Sequence, residues 1–246
     1  MKTLAAILTI TTAFAEPVPM TFKATDRTEV LYRFAAPEKT EEGKQYPLVL
    51  FLHGAGERGT DNKAQLKHGV NDILKGAADL GESVYLIAPQ CPPERWWAEA
   101  TPDRIHIADA GRNRLMHAVL ALVEETAQKH PIDRKRIYVT GLSMGGFGTW
   151  WMLASSRGTW AAAIPICGGG SAKAAVNFKD VPIRIFHGAA DEVVPPRASE
   201  LMALALKEIG GKAELTMYPG VGHDSWTRTY QDREVMKWLF AQRKPD

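Results

Sequence analysis

Short unbroken apolar runs alternate with longer amphipathic stretches along most of the chain. Leu48–Leu52 (LVLFL) and Val84–Ala88 (VYLIA) have no polar position between their ends. Ile137–Thr140, Ala161–Ile166, Ile183–Phe186 and the shorter Leu215–Tyr218 repeat the pattern. Runs of this length without alternation predict strands buried on both faces. Between them, apolar residues recur at helical spacing. Leu115, Val119, Leu122 and Thr126, flanked by Met116, Leu120, Val123 and Ala127, predict a helix that Lys129-His130-Pro131 ends. Ser199–Ile209 is a second helix, closed by Gly210-Gly211, and Arg233–Ala241 a third. Near the start, Met20–Thr25 and Glu29–Phe34 predict two strands joined at Asp26-Arg27, followed by a polar surface loop over Ala36–Tyr46. Strand–helix alternation of this kind predicts a largely parallel sheet covered by helices on each side. The two opening strands have no helix between them and are expected as an antiparallel edge. In such sheets chemistry sits at the carboxyl ends of the strands.

Composition narrows the classes. The chain has 246 residues, 45% hydrophobic and 24% charged, an ordinary globular make-up that excludes a disordered tail, a collagen-like rod and a polytopic membrane protein. Lys+Arg 30 against Asp+Glu 28 leaves a net charge of +2 with no like-charge run, so neither nucleic acid nor an anionic membrane is the expected partner. Two cysteines exclude a disulfide-built scaffold and supply no zinc-ligand spacing.

Residues 1–15 (MKTLAAILTITTAFA) are expected to be a targeting segment. Lys2 gives a positive start, Leu4–Ala13 an apolar or small run too short to span a bilayer, and Ala13-Phe14-Ala15 a small-residue cleavage site. The expectation is a signal peptide cleaved after Ala15, a catalytic domain over 16–246, and a secreted or periplasmic protein without a membrane anchor. Export would permit a Cys91–Cys167 disulfide, and the sequence leaves that pairing open.

The chemistry-bearing residues cluster at the predicted strand ends. Ile137–Thr140 runs directly into Gly141-Leu142-Ser143-Met144-Gly145, a G-x-S-x-G pattern, and an apolar helix-compatible stretch follows. A serine on so tight a strand-to-helix turn needs small residues two positions away on either side. The turn exposes the hydroxyl at a helix N-terminus, where developing negative charge is favoured. A serine hydroxyl is a weak nucleophile and needs a base. In this arrangement the partners follow in the order Ser, acid, His. His187 and His223 are the histidines beyond Ser143, and with Asp191 as the acid only His223 obeys the order. Glu192 is the alternative acid, and His187 is read as structural. One oxyanion donor is expected from the Met144 backbone N–H, and the second from the loop His53–Gly59, at Ala55. His53 is expected to tie that loop down, and Glu57 and Arg58 to pair with each other or orient it. Trp96 and Trp97, in a Pro-rich loop, and Trp226, close to His223, are candidate substrate surfaces, with Glu57 beside them. Trp150-Trp151 read as core.

HGAGERG, GLSMGG, HGAADEVVP and GVGHDSW, in this order and spacing, resemble the α/β-hydrolase superfamily of serine hydrolases. Within it, HGAGERGTDN and the PQCP…WW loop resemble the secreted feruloyl and acetylxylan esterase-like branch and the phospholipase/carboxylesterase group. The resemblance implies an α/β-hydrolase fold of about eight strands and a Ser143–Asp191–His223 triad. It also implies an acyl-enzyme intermediate and neither cofactor nor metal. The short connection Cys167–Asp180 departs from the true lipases, which insert a large lid there. The function expected is hydrolysis of short-chain, acetyl or hydroxycinnamoyl esters of carbohydrates. A serine peptidase, an acyltransferase and a non-catalytic carbohydrate-binding protein are the alternatives.

Overall fold

The computed structural model describes residues 16–98 and 113–245. The expected targeting segment lies outside the described residues. Among the described residues, eight strands form one sheet in the order β1-β2-β4-β3-β5-β6-β7-β8. They are β1 (Val18–Lys23), β2 (Glu29–Ala35), β3 (Tyr46–Leu52), β4 (Tyr85–Pro89), β5 (Ile132–Leu142), β6 (Ala162–Ile166), β7 (Ile183–Gly188) and β8 (Ala213–Tyr218). β1 and β2 pair antiparallel, as do β2 and β4, and every pairing from β4 across to β8 is parallel. The antiparallel edge and parallel body match the expectation from the sequence. Tyr46, assigned above to a surface loop, instead opens β3, because its amide donates to the Pro131 carbonyl and its ring is buried.

The unbroken apolar strands are apolar for a reason visible in β3. Leu48, Leu50 and Leu52 face one layer of helices, and Val49 and Phe51 face the other. The first layer holds α2 (Arg114–Lys129), α3 (Met144–Ser155) and α4 (Arg197–Glu208), through residues such as Val119, Trp151 and Met202. The second holds α1 (Val70–Asp79), α5 (Trp226–Gln231) and α6 (Arg233–Ala241), through Ile73, Tyr230 and Leu239. Asn113 caps α2 by accepting the Met116 N–H, and Asp232 caps α6 by accepting from Glu234 and Val235. Between β6 and β7 lies only a short 3-10 turn over Ala172–Asn177, so no lid domain is inserted there. The carboxyl ends of β3, β5, β7 and β8 therefore open on one rim.

Candidate active site

Ser143 sits at the corner where β5 passes into α3, with φ 53° and ψ −116°. That is left-handed backbone, which a residue with a Cβ adopts only when its surroundings impose it. Here the Ser143 N–H donates to the Ile166 carbonyl at 2.9 Å, and the Ser143 carbonyl accepts the Phe147 N–H at 3.1 Å. The flanking glycines are steric requirements. A Cβ on Gly141 would overlap the Gly145 carbonyl, and one on Gly145 would overlap the Leu52 carbonyl. The first turn of α3 is thereby pressed against the end of β3.

His223 bridges the other two members. Its Nε2 is 2.9 Å from Ser143 Oγ, and its Nδ1 is 2.7 Å from Asp191 Oδ2. An ionised carboxylate has no proton to give, so Nδ1 carries the hydrogen and Nε2 is left to accept from the serine. Asp191 is buried, and its Oδ1 accepts the amides of Val193 at 2.8 Å and Val194 at 3.0 Å. Burial alone would raise its pKa. The bonds from His223, Val194 and Val193 outweigh it and hold the carboxyl below the ordinary carboxylate value. Glu192, the alternative acid, is exposed.

The His223 loop is held against the Asp191 loop by backbone contacts. Ala190 N–H donates to the Val221 carbonyl at 2.9 Å, and Ala189 N–H to the Tyr218 carbonyl at 3.0 Å. Gly188 permits this closeness, since a Cβ there would overlap the Gly222 carbonyl. Sequence reading did not single out Gly188. Its signal is a glycine at the end of a buried strand, three residues before an acid.

Ala55 and Met144 each open a helical turn, a 3-10 turn over Ala55–Glu57 and α3. The first amides of such turns have no intrahelical acceptor. His53, buried behind them, accepts the Cys91 N–H on Nε2 at 2.9 Å, and its Nδ1 lies 2.6 Å from the Gly54 carbonyl. The ring is therefore neutral and joins the ends of β3 and β4. Burial drops its pKa to about 4.

The candidate substrate surfaces separate. Trp226 packs its ring edge-on against His223, with centroids 5.3 Å apart. Trp96 is 45% exposed and stacks under the Arg58 guanidinium of the Ala55 loop at 4.6 Å. Trp97 does not line a surface. It is fully buried, donating its indole N–H to the His53 carbonyl at 3.0 Å and filling the space beside Gly148. Glu57 does not pair with Arg58, whose Nε donates to the Ala55 carbonyl. It is buried instead, with His68 Nε2 at 3.8 Å. His68 in turn packs on Trp226. Trp150 and Trp151 are core residues.

Cys91 and Cys167 are both buried and free, so the disulfide is not formed. The Cys167 thiol, Asp191 and His223 bring one ligand-type atom each within 4.8 Å of one another. His223 and Asp191 are already bonded to each other, and burial pushes the thiol up to about 12, which keeps its proton on.

This sheet, a serine on a strained strand-to-helix corner and a histidine–carboxylate pair on the following strand ends define an α/β-hydrolase. Residues 38–236 match the family described as phospholipase/carboxylesterase, and the chain belongs to it. It is similar to acyl-protein thioesterase 1 homolog 2 of Dictyostelium discoideum, 29% identical over 178 residues that cover 67% of this chain and 78% of that protein. It is also similar to the uncharacterized peptidase YuxL of Bacillus subtilis (strain 168), 27% identical over 237 residues, 82% of this chain and 34% of that one. Among solved structures, a thermostable esterase superposes with a TM-score of 0.85 at 38% identity, covering 93% of this chain and 63% of the other. The last two relatives are thus substantially longer than the part that this chain spans.

Proposed function

We propose that this protein is an exported serine ester hydrolase acting on short-chain, acetyl or hydroxycinnamoyl esters of carbohydrates. One observation carries the reading: Ser143 Oγ, His223 and Asp191 form a continuous relay of 2.9 Å and 2.7 Å. In the reaction His223 Nε2 takes the Ser143 proton as Oγ attacks the ester carbonyl. Asp191 stabilises the imidazolium, and the amides of Ala55 and Met144 hold the oxyanion. The alcohol departs with the proton from His223. Water then repeats the sequence on the acyl-enzyme and frees the acid.

The substrate class is supported by the aromatic rings of Trp226, packed beside His223 at the start of α5, and of Trp96, on the loop after β4 and under Arg58 of the Ala55 loop. The absence of an inserted lid after β6 favours soluble or polymer-end esters over aggregated lipid. The likeness to a thioesterase and a peptidase makes matched thioester and amide substrates the proper comparison.

The test uses one preparation, the chain expressed with its leader and recovered from periplasm or medium. Its N terminus should read Glu16. It should hydrolyse p-nitrophenyl acetate and, in a panel of methyl ferulate, acetylated xylan and matched thioester and amide, prefer the oxygen esters. Ser143→Ala should abolish turnover and fluorophosphonate labelling while leaving the circular dichroism spectrum unchanged. Retained turnover in that variant refutes the assignment.

A further inference from the structure

The acid of the relay has a second imidazole on it. His187, at the end of β7, is completely buried, and its Nε2 lies 3.1 Å from Asp191 Oδ2, the same oxygen that His223 holds. That Nε2 also lies 2.9 Å from the Val194 carbonyl. Both neighbours are acceptors, so Nε2 carries a hydrogen. On the other side of the ring, Nδ1 is 2.7 Å from Ser199 Oγ, which is 3.1 Å from the Gly168 carbonyl. Burial lowers the His187 pKa and keeps the ring neutral. A neutral ring with its hydrogen on Nε2 must accept at Nδ1, and the single Ser199 hydrogen serves it, at the nearer contact of 2.7 Å, only by leaving the Gly168 carbonyl at 3.1 Å. Asp191 therefore accepts three hydrogen bonds, two from amides on Oδ1 and one from His223 on Oδ2, and the His187 N–H that bonds the Val194 carbonyl lies 3.1 Å from that same Oδ2.

We propose that His187 is a positioning residue for the hydrolysis, holding Asp191 in the orientation that His223 needs and drawing off part of the charge on Oδ2. Ser199 fixes the tautomer that makes this possible. The inference rests on the triad reading above and adds a member that the order of residues along the chain disfavours. The ionisable groups around the carboxylate are His187, His223, the protonated Cys167 thiol and, next in the chain to His223, the exposed Asp224.

The sign of the effect follows from the shared oxygen. Without the His187 donor, the whole charge of Oδ2 faces His223 and favours its protonated form. The acid limb of kcat/KM, which reports the proton on His223 in the free enzyme, then moves to higher pH.

His187→Leu should raise that limb by about half a unit to one unit, and a loosened carboxylate should lower kcat about ten- to a hundred-fold. His187→Gln, which returns an N–H near the Nε2 position, should restore most of both. Ser199→Ala keeps the ring but frees the tautomer and should shift the limb in the same direction by less. Thermal unfolding of each variant separates these effects from loss of fold, and if His187→Leu does not fold, Ser199→Ala decides. Limbs that stay at the wild-type pH, with kcat falling only in step with the folded fraction, overturn the proposal and leave the esterase reading standing. Absence of ester turnover in the wild type would strike the esterase reading itself, so the wild-type profile and its loss in Ser143→Ala are measured first.

Discussion

At the scale of single residues, the site is built by surrounding one carboxylate with N–H groups. The three groups bonded to Asp191 are N–H donors and the fourth polar neighbour, His187 Nε2, also carries a hydrogen, so the side chain must be an acceptor on both oxygens. Asp191→Asn breaks that rule. The amide oxygen would suit the Val193 and Val194 N–H groups, and the NH2 would then meet two ring N–H donors. His223 escapes by taking the other tautomer, which leaves Nε2 protonated and unable to accept from Ser143. The expected loss in kcat is about 10⁴-fold with the fold preserved, checked by single-turnover hydrolysis of an activated ester. Much of this site is legible along the chain, because the serine corner is a local pattern and chain order selects the histidine. The contact between His187 and Asp191 is not. It depends on how tightly the turn after β7 closes, and nothing local states that. Nor do adjacent tryptophans declare which faces the core. Trp97 has a buried carbonyl, that of His53, within reach of its indole, whereas Trp96 has a guanidinium.

At the scale of elements, the decisive packing is α3 against β3. It leaves no room for a side chain at position 145, where both colliding groups would be backbone. Gly145→Ala should therefore destabilise the protein by about 3 kcal/mol or more, read as a lowered denaturation midpoint or as loss of soluble protein. Gly56→Ala, on the oxyanion loop with open space around it, serves as the tolerated control. The same logic explains a helix that periodicity does not predict. α1 contains Gly76, a poor helix former. A Cβ there would come within 2.7 Å of Met236 Cγ on α6, so close packing demands the residue that weakens the pattern. α5 spans only Trp226–Gln231, too short to show a period. The polar stretch Asp133–Arg136 likewise hides the first half of β5, which pairs with β3 through an irregular register.

At the scale of the whole molecule, buried neutral histidines set the acid response. His53 takes its proton in the folded protein only near pH 4, against 6.5 for a free ring, and His187 is shifted the same way. Between these values the unfolded chain binds more protons than the folded one. The stabilisation is therefore complete above about pH 6.5 and is lost as pH falls toward 4. Asp191, held below the ordinary 3.8, adds a loss that comes only at still lower pH. The His53 shift alone corresponds to about 3 kcal/mol. Melting curves at pH 7, 5.5 and 4.5 should show the midpoint falling by about 6–10 °C. His53→Gln should flatten the dependence over that window.

The strand order carries a consequence of its own. Among the described residues β8 is the outermost strand at its end of the sheet, and the imidazole bonded to Ser143 hangs from the segment just past it. The nucleophile, by contrast, is anchored in the middle of the sheet. Local opening at that outer margin would carry His223 away from Ser143 before it disturbed the central strands. On heating, turnover should therefore fall before any signal averaged over the core, which parallel activity and circular dichroism melts would show.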